Sequence, residues 1–195
     1  MPAAPAVRKA TLADVELLSN ALARAFEDDP VMEFVYPARN RLKRVRSFLH
    51  HELRHHYLAL DETWTTAEGI RGAALWSPPG RWRHSWIDVL RMLPRQGPAL
   101  GANLFRGLSA LNEVERAHPP GEHYYLGVLG TDPVAQGLGI GSACLAPVLE
   151  RCDREGLGAY LESSKERNVP FYNRHGFEVM RELPLAGGGP SVWLM

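Results

Sequence analysis

Two histidines and a glutamate in the string HELRH, residues 51 to 55, have the spacing of a helical zinc site. In the H-E-x-x-H pattern the two histidines, His51 and His55, bind the metal from one helix face while the glutamate, Glu52, acts as a general base. A zinc peptidase would also need a third ligand from a second helix. A five-residue string that fixes three positions arises easily by chance inside HHELRHH. The zinc peptidase is therefore a remote alternative, and we expect no metal.

A glycine-rich turn, QGLGIGS at residues 136 to 142, has a different chemistry. It precedes an apolar helix, and the first N–H groups of a helix lack internal partners and carry the positive end of its dipole. Glycines let this backbone approach a ligand, so the turn is suited to a phosphate or pyrophosphate. Neither a dinucleotide fingerprint nor a P-loop fits, because a third glycine and a lysine are missing. What remains is Q-x-x-G-x-G, formed by Gln136, Gly139 and Gly141; the alternative is a turn that merely packs helix on strand.

The elements that must position this turn alternate strand and helix in the C-terminal half. HYYLGVLGTDP, residues 123 to 133, is rich in aromatic and β-branched residues and predicts a strand that Pro133 stops. A helix is predicted from near Gly139 to Glu155, with Gly156 as its cap and Pro147 inside it. GAYLES then predicts a strand, NVPFYNRH a short helix, and FEVMREL and SVWLM two more strands.

The N-terminal half predicts a strand, two helices and a hairpin. AVRKA is the strand, and the first helix opens at Thr11 with Asp14 in a near capping box and ends at EDDP. Its helical spacing predicts one buried face, formed by Leu12, Val15, Leu18, Leu22, Ala25 and Phe26. The second helix runs from Arg39 to Leu58, with a predicted buried stripe of Leu42, Val45, Leu49 and Leu53. DETWTTAEGIRGAALWSPPG predicts two short strands around a Glu-Gly turn.

Two long blocks then identify a family resemblance. LGVLGTDPVAQGLGIGSACLAPVLERCDREG followed by YLESSKERNVPFYNRHGF resembles the GNAT superfamily of acetyl-CoA-dependent N-acyltransferases, over roughly residues 124 to 182. The puromycin N-acetyltransferase type is the closer resemblance, extended loosely by AFEDDP, by the strand before SPPG and by the terminal GP-SVWLM. The resemblance implies a single α/β (α+β) domain over residues 1 to 195. Its sheet would be mixed and mostly antiparallel, with six to seven strands, a splayed centre and helices on both faces. Residues 1 to 5 would be a disordered tail and residues 81 to 120 a variable helical region at the acceptor site.

The resemblance also implies acetyl-CoA as cosubstrate and assigns the residues that hold it. The pyrophosphate would lie on the glycine turn, that is, on the backbone of Gln136, Gly137, Leu138, Gly139, Ile140, Gly141 and Ser142. The pantetheine arm would pair like an added strand with Leu129, Gly130 and Thr131. The backbone N–H of Leu129 would donate to the oxyanion that forms during acyl transfer.

The remaining catalytic roles fall on side chains in the second block. Tyr172 is the predicted general acid, since a phenol with a pKa near 10 is protonated at neutral pH and can donate to the departing thiolate; the alternative is an aromatic ring that packs helix on sheet. Asn168 resembles the family's CoA-contacting asparagine, or else caps the short helix. Glu162 is the candidate base or, equally, a structural carboxylate, and water could also take the proton.

The acceptor side is marked by weaker candidates. Asp28 and Asp29 would border the acceptor and bind a cationic amine, although Asp before Pro is also ordinary turn chemistry. His123 could act as a base through water. Trp82 and Trp86, four residues apart, could wall an aromatic acceptor or belong to the core.

Composition bounds these hypotheses. The 195 residues carry no formal net charge, which argues against nucleic-acid and anionic-membrane partners. The basic run RNRLKRVR is typical of a solvated helix face, the alternative being contact with an acidic partner. No apolar run approaches the ~18 residues of a membrane span and the N-terminus has no secretory h-region, so we expect a cytoplasmic, bacterial-like protein. Cys144 and Cys152, on one helix and about 12 Å apart, should not bridge.

The sequence therefore predicts an N-acetyltransferase that acylates the primary amine of a small molecule, either antibiotic-like or a metabolite. The alternative within the same fold is a non-catalytic acyl-CoA-binding sensor or interaction domain. Whether the protein is a monomer or a homodimer stays open.

Overall fold

A mixed seven-stranded sheet organises the computed structural model, which describes residues 4–36, 38–83 and 103–195, with the side chain of residue 104 excepted. Within those ranges the strands are β1 (Val7–Lys9), β2 (Thr63–Thr66), β3 (Gly72–Ser77), β4 (His123–Thr131), β5 (Gly158–Ser163), β6 (Arg181–Pro184) and β7 (Ser191–Leu194). Their order in the sheet is β1-β2-β3-β4-β5-β7-β6. β4 and β5 are parallel, and every other neighbouring pair is antiparallel. The predicted sheet is thus confirmed.

The helices of the described ranges lie between these strands. They are α1 (Val15–Ala25), α2 (Pro30–Val35), α3 (Arg41–His55), α4 (Leu104–Ala117), α5 (Ile140–Glu155) and α6 (Val169–Asn173). Short 3-10 turns occupy Leu12–Asp14, Tyr57–Leu60, Pro133–Ala135 and Glu166–Asn168. Helices of the described ranges are too short or too polar to cross a membrane.

Strand β3 shows how the two layers of helices are held. Its side chains alternate between faces, and all of them are buried. Ala73 and Leu75 pack with residues of α1 and α3, whereas Ala74 and Trp76 pack with residues of α5 and α6. Full burial of a side chain such as Leu75 contributes about 1.5–3 kcal/mol, so the two clusters clamp helices onto both faces.

The first helix begins later than the periodicity indicates. Thr11 and Asp14 form the predicted capping box, but they close the 3-10 turn and α1 starts only at Val15. Leu12 therefore lies before the helical face and is 62% exposed, so its predicted burial is wrong. Leu42, in the first turn of α3, is likewise 42% exposed, whereas the rest of that predicted stripe is fully buried.

Three other boundaries differ from prediction. EDDP ends the first helix as predicted, but it also begins the next one. Asp29 accepts hydrogen bonds from the N–H groups of Val31 and Met32. Pro30 starts α2, because proline is favourable in the first turn of a helix. The second predicted helix breaks at His55 into the 3-10 turn that begins at Tyr57. Strand β6 covers only residues 181 to 184 instead of the whole of FEVMREL.

The predicted variable region is described in part. Helix α4 confirms helical structure over residues 104 to 117. Residues 84 to 102, which include Trp86, and residues 1 to 3 of the predicted tail lie outside the described residues. Helix α5 runs through Pro147 as predicted, and its two cysteines, Cys144 and Cys152, are free and buried.

Candidate active site

The centre of the sheet opens between β4 and β5. The two strands pair from His123 with Gly158 to Leu126 with Leu161. Beyond that point β5 pairs with β7 instead, starting at Glu162. The second half of β4 thus loses its neighbour on one side, and its backbone there borders a crevice that could accept an extended ligand. This is the splayed centre that the resemblance implied.

The crevice gathers five of the residues that the sequence singled out. It is a small cavity of about 80 Å³. Its lining includes Asp29, Leu129, Glu162, Asn168 and Tyr172, which come from a loop, two strands and the α6 region. Residues far apart in the chain therefore meet at one point, as an active site requires.

A bulge in β4 lies beside the crevice and was not predicted. The pairing of β3 with β4 shifts between Leu75 and Trp76, so that Gly127 is the extra residue. A Cβ at Gly127 would lie 1.9 Å from the hydroxyl oxygen of Tyr57, so no larger residue fits without a rearrangement. The glycine inside an otherwise regular strand pattern was the signal that sequence reasoning missed.

The glycine turn has the conformation that its predicted role requires. Gly137 and Gly139 both have φ +78°, in the left-handed region that side chains disfavour. Gly139 is the N-cap of the sixteen-residue helix α5. A Cβ at Gly141 would lie 3.2 Å from the ring of Phe171. The turn therefore packs the start of α5 closely against α6, as one of the two predicted possibilities has it, and pyrophosphate binding stays a prediction. Gln136 joins the turn to β4 by donating from Nε2 to the carbonyl of Thr131 at 3.3 Å.

Tyr172 lies at the back of the crevice on α6. It is 8% exposed and meets the rings of Phe171 and Phe177 edge-on, at 5.3 and 6.0 Å between centroids. Burial first, and the nearby Asp29 charge second, raise the pKa of this phenol above its ordinary value of 10. The hydroxyl is consequently a proton donor at neutral pH, and the ring packs as well. Asn168 makes no side-chain cap bond to α6 and lines the crevice.

Glu162 is a buried carboxyl with an altered acidity. Its side chain is 9% exposed, and Oε2 accepts a hydrogen bond from the hydroxyl of Tyr125 at 2.8 Å. Burial raises the pKa of Glu162 to about 7, although the Tyr125 and Tyr160 hydroxyls pull it downward. The other oxygen, Oε1, has no hydrogen-bond partner among the described residues. A carboxyl with a pKa near neutrality beside a crevice is suited to general-base catalysis.

Aromatic rings surround this carboxyl on the acceptor side. Trp82 stacks on His118, with 3.5 Å between ring centroids, and its ring lies 6.5 Å from that of Tyr125. His118 also contacts Tyr125 and Tyr160 at 5.0 and 4.7 Å. Trp82 thus joins a cluster of rings that includes Tyr125, the hydrogen-bond partner of Glu162, and its role at the acceptor stays a prediction.

The two aspartates of the first loop are engaged within the protein. Asp29 is 2% exposed, caps α2 and accepts a hydrogen bond from the hydroxyl of Ser164. Asp28 pairs with Lys165 at 2.5 Å and with Arg167, and Lys165 chiefly lowers the pKa of Asp28. Their contacts agree with the structural alternative, although Asp29 does line the crevice.

The remaining histidine candidates have other surroundings. His123 contacts His118 instead of the crevice, with 2.7 Å between their Nε2 atoms. The rings of His51 and His55 meet at a tilt of 43° on α3, with 4.7 Å between centroids, and Glu52 is buried in the same helix. Over the described part of the chain, no group of three or more His, Cys, Asp or Glu could hold a metal ion.

Two basic side chains of the run RNRLKRVR pair with carboxylates of the protein. Arg41 pairs with Glu33 at 2.6 Å, and Arg46 pairs with Glu16. These contacts fit the interpretation of a solvated helix face.

Comparison with known proteins identifies the family of a chain that has this splayed mixed sheet and this glycine turn. The chain belongs to the acetyltransferase (GNAT) family, whose model matches residues 22 to 177. It is an N-acetyltransferase by that membership, which replaces the zinc peptidase hypothesis for HELRH.

Individual relatives cover nearly the whole chain. An N-acetyltransferase of Schizosaccharomyces pombe is 25% identical over 198 residues, covering 96% of this chain and 80% of the relative. A Corynebacterium glutamicum structure named histone acetyltransferase HPA2 and related acetyltransferase is 26% identical, with a TM-score of 0.73 and coverage of 98% and 95%. Drosophila melanogaster polyamine N-acetyltransferase is 15% identical, with a TM-score of 0.62 and coverage of 97% and 98%, and shares the fold.

Proposed function

We propose that the protein transfers the acetyl group of acetyl-CoA to the primary amine of a small molecule by direct attack of the amine on the thioester. The observation that carries this proposal is Glu162, a buried carboxyl with a pKa of about 7 that lines the same crevice as Tyr172. A base and an acid on either side of one gap are what aminolysis of a thioester needs.

The chain's own groups would hold the cosubstrate along β4. The start of α5 supplies outward N–H groups for the pyrophosphate, and glycines at 137, 139 and 141 keep side chains away from it. Past the bulge at Gly127, the backbone of residues 129 to 131 lacks a β5 neighbour and can pair with the pantetheine arm. Acetyl-CoA supplies the activated acyl group when bound.

The proton transfers follow from the two acidities. Glu162, ionised for about half of the molecules at pH 7, takes a proton from the ammonium form of the acceptor and frees its electron pair for attack. The N–H of Leu129 donates to the oxyanion, a type of contact worth about 3–4 kcal/mol where it has been removed. Tyr172 then gives its phenolic proton to the thiolate as the C–S bond breaks, and the second proton, which the amine nitrogen loses after its attack, returns to the phenolate and restores Tyr172.

The acceptor is proposed to be antibiotic-like or a related metabolite, following the puromycin-type resemblance of the sequence. The ring of Trp82, which lies 6.5 Å from that of Tyr125, supports an acceptor that presents an amine next to a flat apolar group, because such a group can stack on an indole.

The direct experiment is release of the CoA thiol from acetyl-CoA in the presence of a panel of primary amines. We expect at least one amine to give turnover, and the Tyr172→Phe protein to lose most of it. Tight CoA binding without thiol release for any amine would contradict the proposal and favour the acyl-CoA sensor.

A further inference from the structure

Two histidines lie directly behind Glu162. His118 follows α4, and its side chain is 2% exposed; His123 opens β4 and is 7% exposed. Their Nε2 atoms are 2.7 Å apart, the distance of a hydrogen bond. On its other side, His118 places Nδ1 at 3.8 Å from Oε1 of Glu162. The three side chains form a row that ends at the crevice.

The hydrogen bonds of this row fix which ring nitrogens carry protons. Nδ1 of His123 lies 3.0 Å from the carbonyl oxygen of Gly121, which can only accept, so Nδ1 of His123 carries a proton. In neutral His123 the Nε2 atom is then bare and accepts. His118 must therefore donate from its Nε2, and in neutral His118 the Nδ1 atom is bare as well.

Both rings are neutral at physiological pH, as this assignment requires. Burial lowers the pKa of His118 to about 4, with smaller contributions from His123 and Arg83, and burial also lowers the pKa of His123. A bare Nδ1 thus faces Oε1 of Glu162, the oxygen without a hydrogen-bond partner among the described residues. At 3.8 Å the two atoms are farther apart than a hydrogen bond, and of the two forms of Glu162 only the protonated acid can donate to a bare Nδ1.

We propose that His118 and His123 are positioning residues of the base. Their mutual hydrogen bond locks both rings in one tautomer, so that His118 offers Glu162 only a hydrogen-bond acceptor. His118 therefore stabilises the glutamic acid form of Glu162. The inference rests on the proposed function of Glu162 as the base. In the ionised form, by contrast, the carboxylate faces a lone pair. The pair thereby makes Glu162 a stronger base than an exposed glutamate.

The proton inventory of the step balances. An N–H bond of the substrate ammonium breaks, its electron pair stays on the amine nitrogen, and the proton bonds to Glu162. The new O–H on Oε1 donates to Nδ1 of His118, and neither histidine changes its charge. After acetyl transfer the proton leaves to water and restores the carboxylate.

Other titratable and charged groups surround the row and influence the pKa of Glu162 directly or through its neighbours. These neighbours are Tyr57 from the 3-10 turn after α3, Tyr125 from β4, Tyr160 from β5, Arg83, which acts on His118, and Arg181 of β6, which acts on Tyr160. A His123 variant also removes the ring contact with Tyr160, at 5.8 Å between centroids, but His123→Gln and His123→Leu remove it alike, so the comparison of the two variants isolates the tautomer. Trp82 keeps the His118 ring in place by stacking.

The first test reads the tautomers without any substrate. Nuclear magnetic resonance of nitrogen-labelled histidine in the full chain, near pH 7, should show a proton on Nε2 of His118 and on Nδ1 of His123. A proton on Nδ1 of His118 would overturn the inference, whether or not the enzyme acetylates an amine.

The second test compares two variants at His123. His123→Gln keeps an acceptor for Nε2 of His118, whereas His123→Leu removes it and lets His118 turn a proton toward the carboxylate. A hydrogen bond to the charged form favours ionisation, so the apparent pKa of kcat/KM should fall by about one pH unit in His123→Leu and stay unchanged in His123→Gln. Equal profiles in both variants would contradict the inference.

An infrared titration measures the protonation of Glu162 directly and needs no substrate. The carboxylic acid band of Glu162, identified by its loss in Glu162→Gln, should titrate about one pH unit lower in His123→Leu than in wild type. Absence of turnover in wild type with every amine would refute the proposed function alone, since this band and the tautomers would still judge the histidine pair. If His123→Leu does not fold, the histidine tautomers measured in the wild-type protein decide whether the inference holds.

Discussion

Glu162 should make the protein less stable at high pH, and Glu162→Gln should remove that loss. The folded-state pKa of about 7 lies above the ordinary value of 4.5. Stability associated with the protonated form is therefore fully present below about pH 4.5 and is lost as the pH rises through about 7. Glutamine has the shape of the protonated acid but does not ionise, so the variant keeps that stability.

The size of this change in stability follows from the folded and unfolded pKa values of Glu162. One pH unit between folded and unfolded pKa values corresponds to about 1.4 kcal/mol, so the values of 4.5 and about 7 correspond to a total of about 3 kcal/mol. Most of this loss in the free energy of unfolding develops between pH 5 and pH 9. Over that range we expect the free energy of unfolding of Glu162→Gln to gain about 2–3 kcal/mol relative to wild type. The side chain is only 9% exposed, so solvent screening removes little of it.

The measurement is urea unfolding of both proteins at pH 5 and pH 9. Carboxylates held by cations, such as Asp14 next to Arg8, contribute equally to wild type and variant and cancel in the comparison. Glu150→Gln is the matched control, because Glu150 is an exposed carboxylate on α5. The reasoning is refuted if Glu162→Gln loses stability with pH in parallel with wild type, or if the Glu150→Gln control gains as much.

Three further outcomes are expected. Gly127→Ala places a Cβ 1.9 Å from the Tyr57 hydroxyl and should lose about 1–3 kcal/mol in urea unfolding; Tyr57→Phe should relieve part of that loss, and Gly158→Ala, where a Cβ meets nothing within 4 Å, should change little. Tyr172→Phe should lower kcat by about 10²–10⁴-fold in the thiol assay, with KM for acetyl-CoA nearly unchanged, because only the acid is removed; a rise in KM at constant kcat would indicate a packing role instead. Gly139→Ala forces alanine to φ +78°, so it should cost about 1 kcal/mol of stability and raise KM for acetyl-CoA, and an unchanged KM would place the pyrophosphate elsewhere.

Local signals predicted the glycine turn and helix α5 well. The glycine turn and helix α5 are encoded next to each other, by positive-φ glycines and by an apolar periodic run that ends at Gly156. The Asp-Pro pair was harder, because the same two residues that end one helix also cap and start α2. The glycine at position 127 was visible as an irregularity in a strand, but only the fold shows that Tyr57 occupies the space above it.

The sequence predicted Glu162 as the candidate base but did not predict the raised pKa of its carboxyl. Its altered acidity depends on contacts made through the pairing of β4 with β5 and through the return of the chain after α4. His118 had no local signal at all, since a histidine before two prolines is ordinary loop composition. Such long-range proximity follows from the strand order and register, which the periodicity of single segments does not contain.

The most direct test of the central claim is the pH dependence of kcat/KM for acetylation of one accepted amine, in wild type and in Glu162→Gln. The account predicts a wild-type profile that rises with an apparent pKa near 7, the value for Glu162 in the free protein, and a variant that lacks this rise and is slower by about 10²–10⁴-fold at neutral pH. A Glu162→Gln protein with the wild-type rate and the same rising limb would contradict the assignment of Glu162 as the base.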